Sequence, residues 1–405
     1  MKIRYLLLHA YGMGGTIRTV ITQANAMAAA GHDVELVSVL RRKDEPYFTV
    51  DPRVRLSSLT DARPSAAPPP PRGLIARLRA RRATRLGDRP PRHIPVSEAG
   101  YQAMNRRIER AVTGWMATLT DGVLVTTRPA LNLLAAGFAT EGVVRVGQEH
   151  VNLSTHKPDL RAAIIRYYPR LDAVAVLTSR DRDEYARKAP GTKVVRVPNA
   201  VHSLRQKPAT CTSKIAIAAG RLRHQKAFDL MIAAYRRTVD DFPDWQLRIY
   251  GEGDKRPQLR RLIDKHHLYN HVLLMGSTDR LDDEMAKASM FVMSSRYEGL
   301  PMVLIEALSH GLPVVSFDCP TGPADVITDG KEGLLVPPED VKGLAAAMRR
   351  LMGDEALRAE MGDAGLATVQ RYSPEAIREQ WTALFGGLLA ERRPPERAQA
   401  GRTAG

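Results

Sequence analysis

Apolar positions fall into two alternating periods along this chain. Short runs rich in β-branched and aliphatic residues give way to stretches whose apolar residues recur every three to four positions, and then the runs resume. "KIRYLLLHA" at the N-terminus predicts a buried strand, "YGMGG" a tight loop, and "TIRTVITQANAMAAAG" a helix. Ile17, Val20, Ile21, Ala24 and Met27 share one face of that helix, which ends at Gly31. "HDVELVSVL" predicts a second strand. A strand, a helix and another strand in this order open a parallel sheet covered by helices. "GVLVTTR", "VVRVGQEH", "AVAVLTS" and "KVVRVPN" supply more short strands.

Residues 200–213 predict a linker, and a second alternating series follows it. Its strands are "KIAIAAGRL", "WQLRIYGEG", "VLLMGS", "MFVMSS", "PVVSFD" and "GLLVPP", with helical patterns between them. The expected fold class is therefore α/β, with two doubly wound Rossmann-like domains. We place the first at 1–200 and the second at 201–372. A helix over 373–393 starts with Ser373 as its cap and Pro374 in its first turn. Residues 394–405 predict a disordered tail. One segment breaks the pattern: about 61–95 is rich in Pro and Arg, with a short basic helix expected from Leu74 to Leu86.

Composition narrows the function classes. A chain of 405 residues is too long for one ordinary core, and its 44% hydrophobic content supports globular packing. Two cysteines far apart argue against a disulfide framework and fit a reducing cytoplasm. No apolar run nears the roughly 18 residues that span a membrane. Net charge is +16, and residues 61–110 alone hold 12 Arg against 4 acidic residues. This window predicts either a solvated surface or attraction to an anionic membrane or acceptor, through 72–92 above all. Aromatic residues make up only 5%, and none interleave with these arginines, which argues against a specific nucleic-acid partner.

Candidate chemistry lies just after strands, where open α/β sheets bind ligands. Gly12, Gly14 and Gly15 of "GMGG" form either a tight turn or a phosphate-binding helix start. Arg221 and Lys226 of "GRLRHQK" put two cations near one strand end, which suits a diphosphate, although surface cations are also common. In "EGLPMVLIE", Pro301 belongs in a first helical turn, so Glu298 precedes the helix and Glu306 lies inside it. Leu304, Ile305, Ala307 and Leu308 around Glu306 argue against a fully solvated acid. His266, His267 and His271 read as a solvated helix end and "DDFPD" at 240–244 as a loop, so no metal site is expected.

"GRLRHQKAFDLMIAAY", "DWQLRIYGEGD" and "SSRYEGLPMVLIEALSHGLPVVSFDCPTGPADVITDGKEGLLV" together resemble family 4 retaining nucleotide-sugar glycosyltransferases of the GT-B fold. Glu298 to Glu306 matches their E-x7-E motif. The resemblance is strongest over 214–345. It implies two Rossmann-like domains facing across a cleft, a last helix over 373–393 that crosses back to the first domain, and metal-independent transfer of a hexose-type sugar with retention. It implies no cofactor beyond a nucleotide diphosphate sugar, UDP-sugar before GDP-sugar. By the same resemblance, Arg221 and Lys226 grip the diphosphate, Glu298 contacts the sugar, Glu306 holds the ribose, and Gly299 and Leu300 belong to the donor loop. His150 faces the transferred sugar, Gly14 and Gly15 close on the donor, and Asn199 of "VPNAV" serves either the donor site or a turn. The implied setting is polysaccharide, polyol-phosphate or lipid-linked acceptor assembly in the cytoplasm or on the inner face of the cell membrane. Two other classes stand against this reading: a nicotinamide-dinucleotide oxidoreductase, disfavoured by the incomplete glycine fingerprint, and a non-catalytic basic membrane- or nucleic-acid-binding protein.

Overall fold

Strands buried on both faces form the middle of two parallel sheets in this protein. The computed structural model describes residues 1–66, 73, 75, 85–87, 89–202, 204 and 206–392. The expected basic helix from Leu74 to Leu86 and the expected tail at 394–405 lie outside the described residues, wholly or in large part.

The first sheet contains β1 (Lys2–Leu7), β2 (Asp33–Arg41), β3 (Arg55–Asp61), β4 (Val123–Thr126), β5 (Val144–Gln148), β6 (Ala173–Val176) and β7 (Val194–Arg196). Their spatial order is β3-β2-β1-β4-β5-β6-β7, and every pairing is parallel. The second sheet contains β8 (Ile215–Ala219), β9 (Gln246–Tyr250), β10 (Val272–Gly276), β11 (Met290–Met293), β12 (Val314–Phe317) and β13 (Gly333–Val336). Its order is β10-β9-β8-β11-β12-β13, again all parallel. Both orders run outward from a first strand and then reverse, which is the doubly wound pattern. The reversal lies between β1 and β4 in the first sheet and between β8 and β11 in the second.

β3 was not anticipated. Its seven residues, RLSSLTD, are half-buried or exposed throughout, as an edge strand allows, so they carry no apolar run. β4, β6, β11 and β12, by contrast, are buried at every position.

The chain divides into two compact units, one of residues 1–176, 184–197 and 378 onward, the other of residues 177–183 and 198–377. In the first, Leu6, Val37, Leu124, Leu131 and Ile164 belong to one apolar core. The last helix, Pro374–Glu391, contributes Arg392 just beyond it, whose guanidinium pairs with Asp172 at 2.6 Å. Ser373 caps that helix by accepting from Ala376 N at 3.0 Å. The second unit holds two apolar clusters, one around Trp245 and Met348, the other around Phe291 and Leu304. Arg358 is buried beside the first cluster, donates to the carbonyls of Cys211 (2.8 Å) and Leu351 (2.6 Å), and lies over the Trp245 ring. Cys211 and Cys319 are buried free thiols.

Candidate functional site

In the second unit, the loops that leave β8 and β11 at the sheet's reversal point are stitched together. The turn after β8 tightens into a short 3-10 segment, His224–Lys226, and enters the helix Phe228–Arg236 through Ala227 at φ 47°. Ser294 Oγ, just past β11, donates to the carbonyls of Lys226 (2.8 Å) and Ala227 (3.0 Å). Arg296 N donates to Gln225 O at 2.8 Å, and its guanidinium donates to His224 O at 2.7 Å. Gln225 Nε2 returns a bond to Tyr297 O at 2.9 Å.

This scaffold brings Lys226 and Glu298 into direct contact. Nζ lies 2.6 Å from Oε1, and the two side chains are only 16% and 9% exposed. Sequence reasoning gave these residues separate partners on a ligand; the structure makes them one largely buried ion pair. Arg221 is exposed on the same turn, ahead of the pair.

Beyond Glu298 the chain passes through Gly299 and Leu300 into the helix Met302–Ser309, with Pro301 at its N-cap. No side chain caps this helix and its first turn holds no acid, so its leading amides favour a negative group. Leu300 packs its side chain into the apolar cluster, which leaves its backbone for any ligand contact. The loop is backed by Gly322 at φ 94°, where a Cβ would stand 2.2 Å from Gly299 O, and by Thr321 Oγ1, which donates to Glu298 O. Leu304, Ile305, Ala307 and Leu308 are fully buried. They hold the helix on the sheet and leave the Glu306 carboxylate 20% exposed, 3.8 Å from His202 Nδ1. Asn199 is buried, and its Oδ1 has no hydrogen-bond partner among the described residues.

The first unit holds a cavity of about 560 Å³ at its own reversal point, lined by Gly14, Gly15, Arg128, Glu149, His150 and His156 among others. Gly14 is the uncapped N-cap of the helix Gly15–Ala29. A Cβ added at Gly15 would meet nothing within 4 Å. His150 follows β5, and burial pushes its imidazole down to about 4, so it is neutral near pH 7. Gly14, Gly15 and His150 thus share one cavity.

Sequence reasoning missed Glu149, which is 2% exposed. Its Oε1 accepts from Asn132 Nδ2 at 2.7 Å and from the Tyr168 hydroxyl. Burial raises its carboxyl to about 7, against the opposing pull of these two hydrogen bonds. The available signal was an acid set beside His150 at the end of an otherwise apolar strand. A carboxyl raised on folding binds its proton more tightly in the folded state, so ionising it costs stability progressively from pH 4.5 to pH 7. Glu149→Gln removes that cost. Chemical denaturation of both proteins should show the variant gaining on the wild type across this window and levelling off above it.

Residues 202–367 match the family described as "Glycosyl transferases group 1". The chain is 36% identical over 408 residues to an exopolysaccharide phosphotransferase of Streptomyces coelicolor, covering 98% of itself but 42% of that protein. It is 26% identical over 397 residues to the amylovoran biosynthesis glycosyltransferase AmsD of Erwinia amylovora, covering 95% of itself and 99% of AmsD. A crystal structure of a Staphylococcus aureus TarM mutant, bound to fondaparinux, α-GlcNAc-glycerol and UDP, superposes with a TM-score of 0.73 at 17% identity, over 95% of this chain and all of that one. The fold is GT-B, and residues 202–367 are similar to the group 1 glycosyltransferases.

Proposed function

We propose that this protein transfers a hexose-type sugar from a nucleotide diphosphate donor, UDP-sugar before GDP-sugar, to an acceptor hydroxyl with retention of configuration. The observation that carries the reading is the Lys226–Glu298 pair, set at a sheet reversal point beside an uncapped helix start. A cation, a carboxylate and free amides in one place match the three parts of such a donor: diphosphate, sugar hydroxyls and developing negative charge. That UDP occupies the TarM complex supports the choice of base.

In this reading residues 201–372 bind the donor and residues 1–200 supply the acceptor side. Lys226 and Arg221 stabilise the charge that builds on the diphosphate as the bond from the sugar anomeric carbon to the phosphate oxygen breaks. The acceptor oxygen bonds to that carbon from the same face, and its proton passes to the departing phosphate oxygen. These side chains and the helix amides meet the charge without a metal ion. Glu298 accepts from sugar hydroxyls, with Gly299 and the backbone of Leu300 alongside. Glu306 holds the ribose hydroxyls, and Asn199 Oδ1 adds an acceptor. His150 stays neutral, able to hydrogen-bond the transferred sugar without bringing a charge, and Gly14 and Gly15 leave room for it.

The likeness to AmsD, an amylovoran biosynthesis glycosyltransferase, supports a role in polysaccharide assembly. The reading also takes in polyol-phosphate or glycolipid assembly, with the work done in the cytoplasm or on the inner membrane face. No helix among the described residues is long and apolar enough to cross a membrane. A peripheral membrane contact would fall to the basic 72–92 stretch, most of which lies outside the described residues.

Glu306→Ala tests the donor reading. Losing hydrogen bonds to a charged group costs about 1.5–3 kcal/mol. UDP should therefore bind about 10- to 100-fold more weakly by isothermal titration calorimetry. An unchanged Kd makes Glu306 a packing residue only.

A further inference from the structure

The cavity of the first unit contains three buried polar atoms that the fold does not use. Glu149 Oε2, His150 Nε2 and His156 Nε2 are shielded from solvent and have no hydrogen-bond partner among the described residues. Each such atom costs about 1–3 kcal/mol if nothing meets it. Glu149 Oε2 and His156 Nε2 are 3.9 Å apart, too far to bond each other. A rotation of the His156 ring, whose side chain is 10% exposed, would admit a hydroxyl oxygen off the line between them at ordinary hydrogen-bond distance from both, donating to one and accepting from the other.

The other edge of Glu149 is fixed. Asn132 Nδ2 and the Tyr168 hydroxyl hold Oε1, and Thr126 Oγ1 in turn donates to Asn132 Oδ1 at 2.6 Å. This buried chain locks the carboxyl plane and leaves Oε2 toward His156. The Arg128 guanidinium on the cavity wall is neutralised by Glu98 at 2.8 Å. Two buried carboxyl groups, Glu98 and Glu149, thus face the interior beside one cancelled cation. Lys157 and the uncapped start of the helix Gly15–Ala29 favour an anion elsewhere on the cavity wall, but at the Glu149 edge a neutral hydroxyl is well served whether Glu149 keeps or loses its proton.

We propose that Glu149 and His156 form a subsite in this cavity that binds one hydroxyl of a neutral polyhydroxylated ligand, a sugar or sugar alcohol. Resting on the transferase reading, this ligand is the acceptor, and the pair selects its uncharged polyol portion and orients it. Neither residue takes part in bond making; both are positioning residues.

The test uses the full chain with ¹⁵N-labelled histidines, saturated with UDP and titrated separately with ribitol, methyl α-glucoside and inorganic phosphate. The expected result is that ribitol or methyl α-glucoside moves the His156 and His150 ring nitrogen signals, and phosphate does not. In His156→Phe, which keeps the volume but loses the hydrogen bond, the remaining His150 response should need about tenfold more ligand. His156→Gln, whose amide keeps a hydrogen-bonding group, should recover most of the affinity, and melting temperatures identify any variant that fails to fold. The proposal is overturned if neither polyol moves the His156 signal, if phosphate moves it instead, or if folded His156→Phe binds as the wild type does. UDP binding is a separate readout: its failure overturns the donor assignment, while the histidine signals still decide this one.

Discussion

Lys226→Ala is expected to lower the rate of the proposed sugar transfer by about 10²–10³-fold, the loss typical of removing one preorganised group aimed at charge that develops in a transition state. The stem of Lys226 lies against Gly220, where an added Cβ would come within 3.0 Å of Cε, so the ammonium has little freedom. Its contact with Glu298 at 2.6 Å is largely buried. Removing the lysine therefore also strands a carboxylate, at a stability cost of about 3 kcal/mol. That confounds rate with folding unless the two are separated. Lys226→Ala combined with Glu298→Gln removes the stranded charge: its denaturation midpoint should return toward the wild type, while its transfer rate stays low. Arg221→Ala needs no such correction, because Arg221 is exposed, and should lower turnover with stability unchanged. Near-normal transfer by both single variants would remove these residues from the mechanism.

Gly322→Ala is expected to lower stability by about 1–3 kcal/mol and to weaken UDP binding with it. Gly322 has φ 94°, and a Cβ there would lie 2.2 Å from Gly299 O and 2.4 Å from Pro301 Cδ. Nothing flexible can yield, since both contacts belong to the backbone or ring of the loop that carries Glu298 into its helix. Gly330→Ala is the matched control: φ is 80°, but nothing stands within 4 Å of the new Cβ. It should show the conformational cost alone and leave donor affinity intact. Equal donor affinity in the two variants would mean that the 299–301 loop does not shape the donor site.

Both sheets were legible because most of their inner strands are buried on two faces and so read as continuous apolar runs, as in "VLVT" and "MFVM". β3 was not, because an edge strand needs no such run. The stretch from Glu298 to Glu306 was legible because Pro301 marks a helix start and the apolar residues around Glu306 mark its buried face. What the sequence could not show was that Glu298 closes onto Lys226, a contact made across 72 positions by the parallel pairing of β8 with β11. Glu149 and His156 escaped for the same reason. Their meaning lies in two unpartnered atoms facing one cavity, and no local pattern records a missing hydrogen bond. Leu300, a position that the resemblance places in the donor loop, turns its side chain into the core, which the motif alone does not reveal.

The most direct measurement is to incubate the protein with UDP-, GDP- and ADP-sugars and a polyol or saccharide acceptor, and to follow the anomeric proton of the product by NMR. The account predicts that a UDP-sugar is consumed and that the new glycosidic bond keeps the donor's anomeric configuration. Inverted product would contradict the proposed mechanism. Binding of a nicotinamide dinucleotide with no consumption of any nucleotide sugar would contradict the function itself.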